Sequence, residues 1–411
     1  MPMSTAEVAD LDAHDPLRDF RDEFQLREGL IYLDGNSLGA APTGTAARLA
    51  DAVSRQWGEG LITSWLGAQW STAPQRIGDK IATIIGAKPG EVVAADSTSV
   101  NIFKALTAAL SLRPGRAVIL SETTNFPTDV YMMQGIEAFS GGRVRSVAVD
   151  PEAVLDRLDQ NVAVLLLTQV HYKSGLVRNL AEVTRRAHEK GVLTVWDLSH
   201  SAGAIPVDLN GADADFAVGC GYKYLNGGPG APAFLFAAER HHQARPVLSG
   251  WFGHASPFAF EEDYRPAEGI TRFLCGTPPV LGLVALEAGV DLLCRADMCA
   301  VRKKSLRLGQ LFIERMEERC RAFGFRLASP LDPALRGSQV SYAHLHGYEI
   351  VQALKAADVI GDFRAPDILR FGLTPLYLRY ADIVEAVERI REVCVTRAWD
   401  RPEYRERAAV T

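Results

Sequence analysis

Between about residues 80 and 240, short apolar runs alternate with stretches whose apolar residues recur at helical spacing. The apolar runs are 92–95, 117–120, 144–149, 162–167, 192–196, 216–218 and 233–236, and helical stretches such as 99–110 and 179–190 lie between them. Continuous apolar runs of this length are typical of strands buried on both faces, and their alternation with helices is typical of a mostly parallel sheet. We therefore predict an α/β fold whose ligand site lies beyond the carboxyl ends of the strands.

The remainder of the chain differs from this pattern. The chain has 411 residues, which is more than one ordinary core accommodates. Residues 278–319 are helix-rich, 326–342 are β-like, and 382–397 have the spacing of an amphipathic helix. We predict a large ligand-binding domain at 46–289 and a smaller α+β domain at 290–411, with the segment 1–45 packing beside the small domain.

Charge and composition exclude several function classes. The net charge of −6, without a run of Lys or Arg, argues against a nucleic-acid partner. No apolar stretch approaches the roughly 20 residues that cross a bilayer, and the polar N-terminus does not resemble a secretory signal. The six cysteines are scattered, so we expect no disulfide framework, no metal site, and reduced thiols in the cytoplasm.

An acidic residue and a lysine stand where two buried strands are predicted to end. The run 192–196 leads into Asp197, and Lys223 follows 26 residues later, before the Gly/Pro-rich stretch 226–230. Taken singly, Asp197 reads as a helix cap and Lys223 as a surface lysine. Together they meet the needs of pyridoxal 5′-phosphate (PLP), which requires a carboxylate at its pyridine nitrogen and a lysine amine that holds it covalently. We predict that Lys223 is that lysine.

Two further segments follow predicted strands and offer contacts to such a cofactor. Thr98 and Ser99 open a helix after the first run, where backbone N–H groups and hydroxyls form a phosphate cup. An ordinary N-cap is the alternative. Phe126 follows the second run and offers a ring to stack on a pyridine, with Asp129 as a second carboxylate. A turn with an Asp cap is the alternative there, and the local sequence does not decide between the two.

A candidate for binding a substrate carboxylate lies in the small domain. Arg370 stands in the segment 367–372, and a planar guanidinium binds a carboxylate through two parallel hydrogen bonds. A surface ion pair is the alternative. Two other charged stretches have plainer interpretations. We predict that His241 and His242 are a solvated pair and that 302–304 is an exposed helical face.

Seven separated motifs can be compared with known families. They are 32–39 (YLDGNSLG), 97–101 (STSVN), 126–129 (FPTD), 196–203 (WDLSHSAG), 221–226 (GYKYLN), 250–254 (GWFGH) and 370–377 (RFGLTPLY). In this order they resemble the fold-type I PLP enzymes of the aminotransferase class V group, and most closely the kynureninase family. The resemblance covers nearly the whole chain and implies the aspartate aminotransferase-like fold and a homodimer. It also implies hydrolysis of the Cβ–Cγ bond of L-kynurenine to anthranilate and L-alanine, in tryptophan catabolism and with links to NAD biosynthesis.

The resemblance also implies roles for the matching residues. Lys223 would hold PLP and move the α-proton with help from Tyr222, and Asp197 would pair with the pyridine nitrogen. The other cofactor contacts that it implies are Thr98, Ser99, Phe126, Pro127, Thr128, Asp129, Thr168 and His200, with Trp251 and Thr277 reaching the cofactor from the neighbouring subunit.

The implied substrate contacts include one departure from the family pattern. Arg370 would bind the carboxylate, and Asn36 would lie nearby. Gly276-Thr277 stands where the animal enzymes, which favour 3-hydroxykynurenine, resemble one another in having Ser-Asn, and Trp65 stands where they carry His. A polar pocket discriminates a hydroxyl far better than an apolar one, so we expect unsubstituted kynurenine to be the preferred substrate.

Two other functions remain open from the sequence. One is another class V activity, such as a cysteine desulfurase or an aminotransferase. A desulfurase needs a reactive cysteine on a mobile loop, whereas Cys320 and Cys394 lie in helix-like stretches. The other is a non-catalytic binding protein with this fold, against which the intact set of Asp197, Lys223 and Arg370 argues.

Overall fold

The structure is a computed structural model that describes residues 3–407. Two compact units make up this part of the chain. The large unit comprises Gly44–Val170 and Arg178–Cys294. The small unit comprises the described residues through Thr43, the segment His171–Val177, and the described residues from Arg295 onward.

The regular elements are numbered in chain order. The strands are β1 (Ile31–Tyr32), β2 (Val92–Ala94), β3 (Val118–Glu122), β4 (Arg145–Val149), β5 (Val162–Thr168), β6 (Leu193–Asp197), β7 (Phe216–Gly219), β8 (Phe234–Ala237), β9 (Arg326–Leu327), β10 (Gln339–Ala343), β11 (Val359–Ile360), β12 (Asp362–Arg364) and β13 (Ile368–Gly372). The α-helices are α1 (Thr5–Ala13), α2 (Thr45–Asp51), α3 (Ser64–Gly67), α4 (Ala73–Ile84), α5 (Thr98–Ser111), α6 (Pro127–Phe139), α7 (Leu180–Glu189), α8 (Val280–Cys294), α9 (Met298–Cys320), α10 (Gly347–Ala356) and α11 (Tyr380–Val395). Within the described residues, no helix is both long enough and apolar enough to span a membrane.

The centre of the large unit is a sheet with the strand order β2-β8-β7-β6-β5-β3-β4. In the order β4-β3-β5-β6-β7 each strand runs parallel to the next, whereas β8 is antiparallel to both β7 and β2. Every residue of β5, β6, β7 and β8 is buried, as expected of strands covered on both faces. The prediction of a mostly parallel α/β sheet is confirmed.

Strand β4 departs from the predicted burial. It forms the edge of the sheet and pairs with β3 alone. Arg145 and Ala148 are exposed, and the other residues of the strand are half-buried. The prediction that this run is buried on both faces is therefore wrong: the strand contains Arg145 and Ser146 and lies at the solvent-accessible edge of the sheet.

The small unit contains an antiparallel sheet in the order β12-β13-β10-β9 and, separately, the parallel pair β1-β11. Helix α9 packs against α11 and against β10, and α1 packs against α11. Asp297 caps α9 by accepting a hydrogen bond from the backbone N–H of Cys299, so the helix-rich stretch divides after α8. This arrangement is the smaller α+β part of the predicted fold.

A buried carboxylate explains why one of the two histidines that we predict to be solvated is buried instead. Asp215, which precedes β7, lies 2.7 Å from Nε2 of His241 and 2.8 Å from Nε2 of His188. Arg240 donates to the same carboxylate at 2.9 Å. His241 is buried, so the prediction of a solvated pair with His242 is wrong for it. Local sequence does not reveal this, because the partner carboxylate stands 26 residues earlier.

A second buried ion pair lies in the small unit. Lys304 is buried and its Nζ lies 2.5 Å from the carboxylate of Asp15, which is also buried. The same ammonium donates to the backbone carbonyl of Pro375 at 2.6 Å. The prediction that 302–304 is an exposed helical face is therefore wrong for Lys304. A buried cation needs such partners, because an unpaired charge in the interior is costly.

The His188–Asp215 pair predicts a pH-dependent contribution to stability. The hydrogen bond to Asp215 raises the pKa of His188 above its ordinary value. Such a histidine stabilises the fold fully below its unfolded pKa of about 6.5, and this contribution is lost as the pH rises through the folded pKa. We expect His188→Gln to lower the free energy of unfolding by about 1 kcal/mol near pH 6 and by less near pH 8. Thermal unfolding of both proteins at the two pH values measures this, and an equal loss at both would contradict it.

Candidate active site

Lys223 lies just beyond the carboxyl end of β7, in a turn that follows Gly219. Its Nζ is 3.0 Å from Nε2 of His200, which is buried after the end of β6. The same ammonium lies 5.9 Å from the ring centroid of Phe126 and 5.8 Å from that of Tyr222. The structure thus brings together four of the residues that the sequence singles out, from three different strand ends.

Asp197 and Thr168 stand side by side at the carboxyl ends of β6 and β5. Their Cα atoms are register partners, and both side chains are buried. The backbone N–H of Ser199 donates to the Asp197 carboxylate at 2.7 Å. Burial raises the pKa of Asp197, while the Ser199 hydrogen bond and the charge of Lys223 oppose that rise.

A second buried carboxylate faces the same lysine. Asp129, in the first turn of α6, has no exposed surface. Burial, followed by the negative charge of Asp197, raises its pKa well above the ordinary value, and the charge of Lys223 acts in the opposite direction. Its Oδ2 is 3.5 Å from the Thr168 hydroxyl, whereas its Oδ1 has no hydrogen-bond partner among residues 3–407. Buried carboxylates with an unused oxygen require a donor or a cation, which the protonated nitrogen of a pyridine ring supplies.

Asn125 joins this group although the sequence analysis does not single it out. Its side-chain oxygen accepts a hydrogen bond from Thr168, and its Nδ2 donates to the Ser121 hydroxyl at 3.1 Å. Its side-chain oxygen also accepts from the backbone N–H of Phe126 at 2.8 Å, which orients the N-cap of α6. Asn125 therefore ties Phe126 to the end of β5. Its position directly before Phe126 is the one sign of this role in the sequence.

The start of α5 has the features of an anion cup. Ser97 is the N-cap, and its hydroxyl accepts from the backbone N–H of Val100 at 3.4 Å. The capping role is thus filled by Ser97, and Thr98 and Ser99 occupy the first turn as half-buried residues. The first N–H groups of a helix have no intrahelical acceptor, so together with these hydroxyls they suit a phosphate. Lys104 in the same helix has no exposed surface and donates to Asp96.

The start of α6 positions the stacking candidate. Phe126 is the N-cap residue and is partly exposed, and Pro127 occupies the first helical position, where its missing N–H costs nothing. Thr128 follows it and is half-buried. The Phe126 ring and the Asp129 carboxylate therefore emerge from one rigid helix end. These residues fit the ring of PLP, and Thr98 and Ser99 fit its phosphate.

An aromatic group contains two of the residues assigned by resemblance. The ring of Phe252 lies 6.0 Å from Trp65 and 5.0 Å from Trp251. Thr277 and Gly276 are exposed, and Trp251 is partly exposed. The roles of these residues toward cofactor or substrate stay predictions. Among the described residues, no group of three or more His, Cys, Asp and Glu side chains is arranged to hold a metal ion.

Arg370 lies in the small unit and is only 2% exposed. Its Nε donates to Asp362 at 2.7 Å, and its Nη2 donates to the other oxygen of the same carboxylate. Nη2 also donates to the Ser37 hydroxyl at 2.9 Å, and Nη1 donates to the backbone carbonyl of Tyr172 at 2.7 Å. Asn36 is completely buried, and in this conformation the adjacent Ser37 contacts Arg370.

Solved structures with 17–18% sequence identity share the fold. A cysteine desulfurase from Thermococcus onnurineus NA1 aligns with a TM-score of 0.77 at 17% identity, over 92% of this chain and 98% of its own. A C-DES mutant with glycine covalently linked to its PLP cofactor aligns with a TM-score of 0.78 at 18% identity, over 90% of this chain and 99% of its own. They confirm the predicted fold, and at such identities they establish the fold alone.

Sequence relatives are more specific. A family model described as the kynureninase C-terminal domain matches residues 301–390. A kynureninase of Burkholderia pseudomallei (strain K96243) is 49% identical over 416 residues, which cover 100% of both chains. A kynureninase of Pseudomonas fluorescens is 46% identical over 407 residues, which cover 98% of both chains. Identity of this level along whole chains goes beyond a shared fold, and the chain therefore belongs to the kynureninase family.

Proposed function

We propose that this protein hydrolyses the Cβ–Cγ bond of L-kynurenine and releases anthranilate and L-alanine, with PLP attached to Lys223. The observation that carries the proposal is that Lys223, beyond the end of β7, acts electrostatically on two buried carboxylates, Asp197 at the end of β6 and Asp129 at the start of α6, in a chain of this family. When bound, PLP supplies an electron sink for the carbanion that forms at the α-carbon of the substrate. Hydrolysis of kynurenine places the reaction in tryptophan catabolism.

The large unit provides the groups that would hold the cofactor. Asp197, together with Asp129, would face the pyridine nitrogen, where a carboxylate keeps that nitrogen protonated. Phe126 would stack on the ring. Thr98 and Ser99, at the start of α5, would bind the phosphate together with the free N–H groups of the helix.

Proton transfer falls to Lys223 and its neighbours. The Lys223 amine would take the α-proton. It is a basic group at the position where the substrate would meet the cofactor. His200 lies 3.0 Å from Nζ and would orient the amine, and Tyr222 would assist the transfer. The Thr168 hydroxyl, which donates its proton to Asn125, would stand beside the Asp129 carboxylate. Arg370 in the small unit would bind the carboxylate of the substrate.

A desulfurase activity is the alternative within this fold. It requires a reactive thiolate, and thiols become reactive when their pKa falls. Burial instead raises the pKa of Cys320 and of Cys394 to about 12. Neither cysteine therefore suits that reaction.

The direct test is an assay of the purified protein with PLP and L-kynurenine in the absence of any keto acid. Anthranilate is followed by its fluorescence, and alanine is measured in the same samples. We expect both products in equal amounts. Absence of anthranilate would remove the proposal, and a requirement for a keto acid would favour an aminotransferase. Release of sulfide from L-cysteine under the same conditions would favour a desulfurase.

The substrate preference concerns Trp65 and Gly276. Glycine has no side chain, and tryptophan offers a 3-hydroxyl group only its indole N–H as a donor and no acceptor. We expect kcat/KM for L-kynurenine to exceed that for 3-hydroxykynurenine. Trp65→His should lower the ratio of kcat/KM for L-kynurenine to kcat/KM for 3-hydroxykynurenine by about tenfold, because the imidazole offers the hydroxyl a polar partner. Parallel kinetics with both substrates measure the ratio, and wild-type preference for the 3-hydroxy substrate would show that Trp65 and Gly276 do not set specificity.

The proposal includes a homodimer, in which Trp251 and Thr277 would reach the cofactor of the neighbouring subunit. Exposed apolar side chains support it, since Ile62 is 76% exposed and Leu66 82% exposed on the large unit. Patches of this kind mark interaction surfaces. Analytical ultracentrifugation should give twice the chain mass, and a monomer at micromolar concentration would contradict the dimer. The cytoplasmic location stays a prediction.

A further inference from the structure

A fully buried lysine in α5 is paired with the acidic residue that precedes this helix. Lys104 follows Asp96 by eight residues, which is about two turns of the helix. The Lys104 side chain has no exposed surface, whereas that of Asp96 is 30% exposed. Nζ of Lys104 donates to the Asp96 carboxylate and, at 2.6 Å, to the backbone carbonyl of Phe273. The ion pair therefore joins the interior of the large unit to the residue directly before Ser97, the N-cap of the anion cup.

The backbone around Asp96 is fixed by other contacts. Asp96 has a φ of 50°, a left-handed conformation that Asp tolerates better than most residues. Its carbonyl accepts from the backbone N–H of Ala233 at 2.9 Å, and the N–H of Ala95 donates to the carbonyl of Ala233 at 2.8 Å. Nδ2 of the buried Asn101 donates to the carbonyl of Ala95 at 2.8 Å. What Lys104 adds to this loop is a positive charge beside the carboxylate.

The carboxylate of Asp96 disfavours a phosphate in the cup unless its charge is compensated. A helix N-terminus attracts any nearby anion, so a free carboxylate next to the N-cap competes with a phosphate for the same N–H groups. A phosphate monoester carries between about 1.5 and 2 negative charges at neutral pH, and a like charge close by repels it. The ammonium of Lys104 compensates the carboxylate and binds it, while the hydroxyl of Ser97 caps the helix.

We propose that Lys104 is a positioning residue for the cofactor phosphate, which binds and neutralises Asp96 so that the start of α5 is available to an anion. The inference rests on the proposed function, in which Thr98 and Ser99 would bind the phosphate and Lys104 would not touch it. A lysine needed for packing alone would differ in one respect. Its loss would do the same damage whether or not residue 96 carried a charge.

The test separates the phosphate from the rest of the cofactor. The apoprotein is titrated with PLP and with pyridoxal, which has the same ring and aldehyde but no phosphate, and binding is followed by absorbance. The ratio of the dissociation constant of pyridoxal to that of PLP is the phosphate preference. Lys104→Met should lower the phosphate preference about tenfold through weaker PLP binding, with the dissociation constant of pyridoxal changed by less than about twofold. Lys104→Gln keeps a hydrogen-bond donor without the charge and should lower the preference to a similar extent, which covers the case in which Lys104→Met does not fold.

The double variant with Asp96→Asn and Lys104→Met separates the role of charge from that of packing. Asn tolerates the left-handed conformation and carries no charge, so the phosphate preference should return to within about threefold of the wild-type value. Asp96→Asn should restore the preference of Lys104→Gln in the same way. Lys80→Met is the matched control, because Lys80 on α4 of the same unit is an ion-paired lysine, 2.7 Å from Glu287. It should leave both dissociation constants unchanged.

Three results would overturn the inference. They are an unchanged phosphate preference in the single Lys104 variants, equal weakening of PLP and pyridoxal binding, and no recovery when Asp96→Asn is added, since each leaves the lysine a structural role alone. A wild type that binds PLP no more tightly than pyridoxal would instead refute the phosphate cup of the proposed function. A wild type with a clear phosphate preference that the Lys104 variants retain would refute this inference alone.

Discussion

Replacement of Lys223 with alanine should lower kcat for kynurenine hydrolysis by at least about a thousandfold. The variant loses both the amine that would hold PLP and the base that would move the α-proton, because both are the Lys223 side chain, whose Nζ lies 3.0 Å from Nε2 of His200. Side-chain truncation at a half-buried position of a turn should leave the fold intact. The measurement is anthranilate release at saturating kynurenine and PLP, combined with the absorption spectrum of the protein after dialysis.

Lys190→Ala is the control for this variant, because Lys190 is an exposed lysine at the end of α7 in the same unit. It should retain full activity and the yellow colour of bound PLP. A Lys223→Ala variant that remained fully active would remove the residue on which the proposed mechanism depends. Loss of activity together with a lowered melting temperature of both variants would point instead to damage of the fold.

Asp197→Asn is expected to have the second largest effect, a loss in kcat of about a hundredfold or more. The amide has the same shape as the carboxylate but carries no negative charge, so it cannot keep the pyridine nitrogen protonated. Asp129 provides the matched comparison. Burial and the negative charge of Asp197 raise the pKa of Asp129 well above its ordinary value, so Asp129 is the less favourable of the two as a charged partner of the ring nitrogen. The loss in kcat of Asp129→Asn should therefore be smaller, below about tenfold.

The two variants are compared by kinetics and by the absorption spectrum of bound PLP, which responds to protonation of the ring. Asp197→Asn should shift the absorption band of the cofactor, and Asp129→Asn should shift it less. Equal losses in both variants would show that the two carboxylates act as a single unit. A larger loss in Asp129→Asn would reverse the assignment of Asp197 as the partner of the ring nitrogen.

The sheet of the large unit could be predicted because each strand is a run of apolar residues between helical stretches. Asp197 and Lys223 could be paired for the same reason, since the carboxyl ends of the parallel neighbours β6 and β7 meet at one edge of the sheet. The exposure of β4 was missed although its segment contains Arg145 and Ser146, polar residues that the inner strands β5 and β7 lack until their ends. The family motifs supplied the remaining roles.

Contacts between distant parts of the chain were not predictable. Ser37 is 333 residues from Arg370, and Tyr172 is 198 residues from it. The segment His171–Val177 belongs to the small unit, although it lies between strands of the large one, and its composition shows no sign of this. His241 and Lys304 are buried through partners that no local pattern reveals. In each case the local sequence does not show which distant part of the chain a residue contacts after folding.

The most direct test of the central claim is to locate the bond between the protein and its cofactor. The purified protein is incubated with PLP, reduced with borohydride and digested, and the peptide that carries the added mass is sequenced by mass spectrometry. We predict a single labelled peptide with the modification on Lys223. The Lys190→Ala control should be labelled on Lys223 to the same extent. Labelling of another lysine in place of Lys223, or no labelling of a protein that hydrolyses kynurenine, would contradict it.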